Sequence, residues 1–172
     1  MTKRIVTGEN ADGGSCIKVD EMELNPLGGG FLFSSVWGSD VPPAFPNDGT
    51  LPNFSELFPA AGGYRATLLH ILPAQGVAAA AWRDEFDREG PVVNGGLEAA
   101  MAGEAPGMHR TDTVDLGIVT SGAIHMELDN GDVQELRTGD VFVQNGTAHN
   151  WHNRGETPAS MFVVLIGGNP RA

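Results

Sequence analysis

Two stretches of this 172-residue chain carry regularly placed histidines, GEAPGMHRTDTVDLGIVTSG at residues 103–122 and GDVFVQNGTAHNWHN at residues 139–153. From residue 115 to residue 128, apolar side chains alternate with polar ones, as in half-buried strands. The apolar members are Ile118, Ile124, Met126 and Leu128. Asn130-Gly131 then supplies a dipeptide typical of tight hairpin turns. The pattern predicts two histidine-bearing segments separated by a β-hairpin.

Short apolar runs elsewhere, bounded by Gly, Asn and Pro, have the character of further buried strands. They lie at residues 64–72, 140–144 and 160–166. We therefore expect an all-β fold, built as a barrel or a sandwich.

The two histidine stretches resemble the two motifs of the cupin superfamily. Gly103, His109, Asp115 and Gly122 fall on the frame of the first motif. Asp115 stands where that motif usually has Glu, and Thr111 stands where it has a second His.

The second motif ends in a His and an Asn with three residues between them, as in His149 and Asn153. Together with residues 6–13, these motifs make nearly the whole chain similar to small single-domain bacterial and fungal cupins of the cupin 2 type. The resemblance implies a double-stranded β-helix, a jelly-roll-like barrel, with residues 1–172 as a single cupin domain. It also implies lyase or tailoring chemistry on a small molecule.

Composition limits the classes of function. An apolar content of 41% with 19% charged residues is that of one soluble globular domain. A net charge of -12 without a Lys/Arg cluster argues against nucleic acid or membrane surfaces as partners. Cys16 is the single cysteine, so no intrachain disulfide is possible. The basic N-terminus has no apolar signal core, and no run approaches membrane-spanning length, so we expect a cytoplasmic protein.

The segment before the barrel is rich in proline, glycine and aromatic residues. Six prolines in residues 26–63 argue against a long helix or a central strand there. We therefore expect residues 1–63 to form an irregular N-terminal arm, followed by a barrel over residues 64–172. The arm carries more apolar side chains than a monomer would leave in water, which predicts that the barrel or a second copy in a homodimer covers them.

An insertion at about residues 78–107 interrupts the barrel, with a short helix expected at residues 97–102. Its residues Trp82, Arg83, Asp84, Phe86 and Arg88 are predicted either to cover one mouth of the barrel or to form a solvent-exposed excursion or dimer contact.

The predicted site draws on both motifs. On an extended segment His109 and Asp115 point to one side, and His149 lies on a facing strand. Two imidazoles and a carboxylate suit a divalent ion such as Fe, Mn, Ni or Zn, with open positions for substrate. The alternatives are a metal-free site in which His109 and His149 act as acid and base, and a pocket without chemistry.

Further residues are predicted to contact a small-molecule substrate. Thr111 and Thr113 share the side of His109, and Trp151 shares that of His149. Arg65 could bind a substrate carboxylate in a bidentate fashion, or form a surface ion pair. His125 and His152 are expected to face outward.

Three functions follow. The first is a metal-dependent lyase, a dehydratase or decarboxylase, acting on a carbonyl- or carboxylate-bearing molecule. The second is an iron-dependent dioxygenase, and the third is a non-enzymatic small-molecule-binding cupin.

Overall fold

The computed structural model describes residues 2–54, 56–74 and 96–171. These residues form eleven strands and one short helix. In chain order they are β1 (Thr2–Glu9), β2 (Ser15–Met22), β3 (Asn25–Gly28), β4 (Phe31–Ser39), β5 (Tyr64–Ile71), α1 (Leu97–Met101), β6 (Thr113–Ser121), β7 (Ala123–Leu128), β8 (Val133–Arg137), β9 (Val141–Gln144), β10 (His149–His152) and β11 (Ala159–Gly167).

Two antiparallel sheets enclose the core. The larger sheet has the order β3-β4-β5-β11-β6-β9, and the smaller one has the order β10-β7-β8. β1 and β2 pair only with each other, as a separate hairpin. The buried apolar cluster takes Val119, Met161 and Val163 from the large sheet, and Ile124 and Trp151 from the small one. The all-β, double-stranded β-helix prediction is confirmed.

The strands follow the alternation in the sequence. In β11, Met161, Val163 and Leu165 are buried, whereas the residues between them are more exposed. The predicted turn joins β7 to β8: Gly131 has a φ of 85°, which a residue without a Cβ adopts freely. Leu128 N–H donates to the Asp132 carbonyl at 2.9 Å across this turn.

The prediction of an irregular arm is wrong for β4. β4 lies inside the large sheet, between β3 and β5, in register with β5 from Phe31↔Ile71 to Ser39↔Tyr64. The physical reason is the placement of the prolines. They cluster at Pro26 and from Pro42 onward, so residues 31–39 keep every backbone N–H for pairing. Residues 40–54 and 56–63 have no regular elements, as expected.

The helix predicted at residues 97–102 is α1. The rest of the expected lid, including Trp82, Arg83, Asp84, Phe86 and Arg88, lies outside the described residues. No helix in the described part of the chain has the length and hydropathy needed to cross a bilayer.

Candidate active site

The two predicted site histidines meet across an isolated β-bridge. His109 N–H donates to the His149 carbonyl at 3.0 Å, and His149 N–H returns the bond at 3.0 Å. This reciprocal pairing fixes both side chains on the same side of the backbone. The ring centroids are 4.2 Å apart, with the planes tilted by 53°. Trp151 packs edge-on to His149 at 5.5 Å, so the pair has an apolar wall.

A glutamine that the sequence analysis did not single out holds His149. Gln144 is buried, and its Oε1 accepts from Gly146 N–H at 2.7 Å. The amide group therefore turns its Nε2 toward His149 Nδ1, at 2.7 Å, and toward the Thr147 carbonyl, at 2.5 Å. Nδ1 also lies 2.9 Å from the Thr147 carbonyl. If Gln144 Nε2–H donates to Nδ1, the proton of neutral His149 is on Nε2; if Nδ1–H donates to the Thr147 carbonyl, the proton is on Nδ1. In the first tautomer, the nitrogen left for a ligand is a donor.

His109 has the complementary arrangement. The Gly107 carbonyl raises the pKa of His109 and so favours the ring proton on the nitrogen nearer to it. The other nitrogen of that neutral tautomer is an acceptor. Beside His149 protonated at Nε2, the pair offers one donor and one acceptor.

Burial keeps both imidazoles neutral. It lowers the pKa of His149 to about 4, with a further lowering from the neighbouring His109 and a partial offset from the Thr147 carbonyl. Burial also lowers the pKa of His109, against the raising effect of the Gly107 carbonyl. Neither ring carries a proton charge near pH 7.

Asp115 ends a chain of buried hydroxyl groups. Thr113 Oγ1 donates to Asp115 Oδ1 at 2.5 Å, so it must accept from Thr111 Oγ1, which lies 2.8 Å away. Burial raises the pKa of Asp115 to about 6, although the Thr113 bond partly lowers it. The carboxyl group consequently exchanges its proton close to neutral pH.

These groups line one cavity of about 530 Å³. His109, Asp115, His149 and Trp151 line it, while Thr111 and Thr113 stand behind Asp115. Side chains from both histidine segments therefore meet at one cavity, as the alternation along the two segments predicts. Most of the remaining wall is apolar and comes from both sheets and from the N-terminal segment. Its members include Phe31, Phe33, Phe54, Leu57, Phe58, Leu69, Phe142 and Val163.

Arg65 reaches the cavity wall, but its guanidinium is already bonded. Nε and Nη1 donate to the carbonyls of Glu56, Ser39 and Tyr64 at 2.9–3.0 Å, and Nη2 pairs with Asp40. The group also lies 4.1 Å from the centre of the Phe54 ring. Of the two alternatives for Arg65, the structure shows an ion pair, with the guanidinium buried in the loop that follows β4.

The predicted three-ligand metal site is not assembled. Among residues 2–54, 56–74 and 96–171, no three His, Cys, Asp or Glu side chains converge as ligands of one ion. Thr111 adds no nitrogen donor, so this part of the site offers an ion the two imidazoles and Asp115 alone. The described residues thus do not fit a resident divalent ion, and metal binding stays a prediction for chemical analysis.

The family model Cupin_2, a cupin domain, matches residues 96–165, which hold both histidine segments. The chain is a cupin-domain protein. Curated relatives of this cupin include the phomopsin biosynthesis cluster protein C′ of Diaporthe leptostromiformis, 44% identical over 64 residues, or 37% of this chain and 34% of the relative. The chain therefore matches about a third of that relative's length.

Two other relatives are named cupin-domain-containing oxidoreductases. One, fogC of Aspergillus ruber, is 38% identical over 45% of this chain and 41% of its own. The other, srdB of Neurospora crassa, is 29% identical over 63% of this chain and 64% of its own. Among solved structures, the cupin domain of Schizosaccharomyces pombe Cnp3 aligns with a TM-score of 0.49 at 11% identity, over 97% of this chain and 88% of that one.

The two remaining histidines of the small sheet, His125 and His152, are directly opposite each other in β7 and β10, and both are half-buried. His125 is not among the described residues that line the cavity, whereas His152, on the edge strand β10, does line it. His152 Nε2 lies 2.6 Å from Glu127 Oε2. The expected outward orientation therefore does not keep His152 out of the cavity wall.

Proposed function

We propose that the protein is an enzyme that moves a proton on a small carbonyl-bearing molecule, as a lyase of the dehydratase type does. One observation carries the proposal. A neutral imidazole pair, with one donor and one acceptor nitrogen, faces the same apolar cavity as a carboxyl group whose pKa is about 6.

Each group has a role that its surroundings support. The His149 Nε2–H donates to the substrate carbonyl oxygen and stabilises the enolate as charge develops there; a neutral imidazole can act in this way. The Asp115 carboxylate takes the proton from the carbon next to that carbonyl, because a pKa near the working pH makes it an effective base.

The elimination balances within these residues. The C–H electron pair forms the enolate, and the enolate expels the β-hydroxyl group as its C–O bond breaks. Asp115 returns the proton to that oxygen, so the products are water and an unsaturated carbonyl compound. His109 lines the same cavity, and in this scheme its acceptor nitrogen receives the hydrogen bond of the departing hydroxyl.

The test uses proton exchange, since it does not require the natural substrate. Protein in D₂O is incubated with a neutral aryl alkyl ketone, and deuterium incorporation next to the carbonyl is followed by NMR. We expect exchange in wild type, with a loss of roughly a hundredfold in Asp115→Asn and in His149→Ala. Arg137→Met, which alters a surface ion pair with Glu135, is the matched control and should exchange as wild type does.

A second candidate is an oxidation, favoured by the naming of the fogC and srdB relatives as oxidoreductases. It requires an electron acceptor, such as O₂, which proton transfer does not. Elemental analysis of protein purified without chelator or metal-affinity tag, run beside oxygen-electrode measurements, separates the two. Stoichiometric metal lost in His149→Ala, together with O₂ uptake and no deuterium exchange, would replace the lyase proposal by the oxidative one.

A further inference from the structure

The lining of the cavity has few polar groups and many apolar ones. We call the part of the wall formed by His109, His149 and Asp115 the polar end. We call the part formed by apolar side chains of β4 and β5 and by Phe54, Leu57 and Phe58 the apolar end. Phe31 and Phe33 of β4 face Leu69 and Ile71 of β5 across their paired register, and all four line the cavity. A ligand that fills this space must present mostly carbon surface.

The described wall has no cation available for an anionic ligand. Arg65 is the one Arg or Lys among the described residues that line the cavity, and its guanidinium is held by Asp40 and three backbone carbonyls. Asp115 and Glu56 are the acidic residues of the described wall, and His152, which also lines it, has its Nε2 2.6 Å from Glu127 Oε2. A carboxylate or phosphate brought here would lose its hydration without gaining a partner, which is costly.

Size sets the scale of the molecule. A volume of about 530 Å³ lies in the range of cavities that enclose a ligand of drug size. Aromatic side chains on the wall favour offset or edge-on contacts with a flat ring. The donor at His149 Nε2 can meet one carbonyl oxygen at the polar end.

We propose that the ligand of this cavity is a neutral molecule with a fused aromatic or comparable apolar skeleton, bearing a carbonyl group and no free carboxylate or phosphate. This deepens the proposed function, on which the placement of the carbonyl rests. The selectivity for a neutral ligand rests only on the charges and the apolar wall. The sequence predicts a substrate that bears either a carbonyl or a carboxylate group. The proposal limits this expectation to carbonyl-bearing molecules without a carboxylate.

The test compares two probes with the same ring system, 2-acetylnaphthalene and 2-naphthoate, by titration calorimetry at pH 8. The neutral ketone should bind at least about tenfold more tightly than the anion. Leu57→Lys places an ammonium group at the half-buried part of the wall and should reverse this preference. Phe45→Lys is the control for the added charge, because Phe45 is 83% exposed and does not line the cavity, so the preference for the ketone should remain.

The outcomes separate this inference from the proposed function. Tight ketone binding without deuterium exchange would uphold the ligand class and remove the lyase proposal. Naphthoate binding as tightly as the ketone in wild type, or no binding of either, would overturn the ligand class whatever the catalytic result. If Leu57→Lys left the preference unchanged, the ligand would not occupy the proposed apolar end, and the inference would fail.

Discussion

We expect one neighbouring side chain, Gln144, to determine which ring nitrogen of His149 carries the proton. Gln144→Glu keeps an acceptor for Gly146 N–H but presents a second carboxylate oxygen to His149 Nδ1. We expect the imidazole proton to move to Nδ1 and the pKa of His149 to rise, because a carboxylate favours a donor beside it. Deuterium exchange should fall by about a hundredfold, since one hydrogen-bond donor to the developing oxyanion is lost.

Nitrogen-15 NMR of the histidine rings measures the tautomer directly. Wild type should show His149 with Nε2 protonated, and Gln144→Glu should show it with Nδ1 protonated. An unchanged His149 spectrum in the variant would mean that the Thr147 carbonyl, 2.9 Å from Nδ1, sets the tautomer instead.

Asp115 makes stability depend on pH in a defined direction. Its folded pKa of about 6 lies above the ordinary value of 3.8, so the folded state binds a proton that the unfolded state releases. Stability from this group is present at low pH and is lost as pH rises toward and through 6. Asp115→Asn removes that loss, and should therefore be more stable than wild type by on the order of 2–3 kcal/mol at pH 8.

Urea denaturation at pH 8 and at pH 4 checks this expectation. The advantage of Asp115→Asn should shrink to a small fraction at pH 4, where Asp115 is protonated in the folded state and about half protonated in the unfolded state. His149 acts in the opposite direction, losing stability as pH falls from about 6.5 to 4, but it does so equally in both proteins. An advantage of equal size at both pH values would show that burial of the charge is not its cause.

At this scale, the sequence predicted residues that share a strand face and missed those fixed by distant partners. His109, Thr111, Thr113 and Asp115 lie two residues apart, so an extended backbone alone puts them on one side. The role of Arg65 depends on Asp40, 25 residues earlier, and no local pattern records such a pair. Gln144 lies within the second motif, at residues 139–153. Its contact with His149 depends on the path of residues 145–148, which bring His149 back beside Gln144.

At the scale of elements, the alternation of the sequence predicted the C-terminal strands but misjudged the N-terminal segment. Residues 26–63 contain both a proline-free strand and a proline-rich loop. The number of prolines over the whole range therefore concealed the strand. The aromatic side chains of that segment were expected to pack in the core or against a second copy. Phe31 and Phe58 do pack against the buried core cluster, and Phe31, Phe33, Phe54 and Phe58 also line the cavity, so the segment contributes to both the core and the site.

Arg65 joins the loop after β4 to β5, and this gives an element-scale prediction. Arg65→Met removes hydrogen bonds to three carbonyls and the ion pair with Asp40, which together should lower the free energy of unfolding by about 2–4 kcal/mol. Urea denaturation measures the loss. Arg137→Met removes an exposed ion pair with Glu135 and should change the free energy of unfolding by less than about 1 kcal/mol. Unchanged stability in Arg65→Met with weaker ligand binding would restore the substrate-binding role first considered for Arg65.

At the scale of the whole molecule, one exposed apolar surface lies outside the N-terminal arm, for which the sequence predicts contact with the barrel or a second copy. The outer face of β6, β9 and β11 exposes six aliphatic side chains, and we call it the β6–β9 face. Its members are Val114, Leu116, Ile118, Val141, Val143 and Ile166. They are contiguous, because Leu116 pairs with Val143 and Ile118 with Val141 across β6 and β9, and Val114 pairs with Ile166. In the described residues β9 ends the large sheet, so both a face and an edge are open there.

We propose that a second copy of the chain covers the β6–β9 face in a two-fold homodimer. An aliphatic patch of this continuity is unusual on a monomer, and a two-fold axis lets one self-complementary patch cover itself. The net charge of -12 opposes association, so the dimer should strengthen as salt screens that repulsion. Light scattering should give a dimer for wild type and a monomer for Val143→Glu, because the substitution puts an unpaired carboxylate into the apolar contact.

The β1–β2 hairpin provides the control for the dimer, since Val19 is as exposed as Val143, at 58% in both cases. Val19→Glu should therefore stay dimeric if the β6–β9 face is the contact. A monomer for Val19→Glu and a dimer for Val143→Glu would move the interface to the hairpin. A monodisperse wild-type monomer at high salt would exclude the homodimer altogether, because screening would have removed the charge repulsion that opposes it.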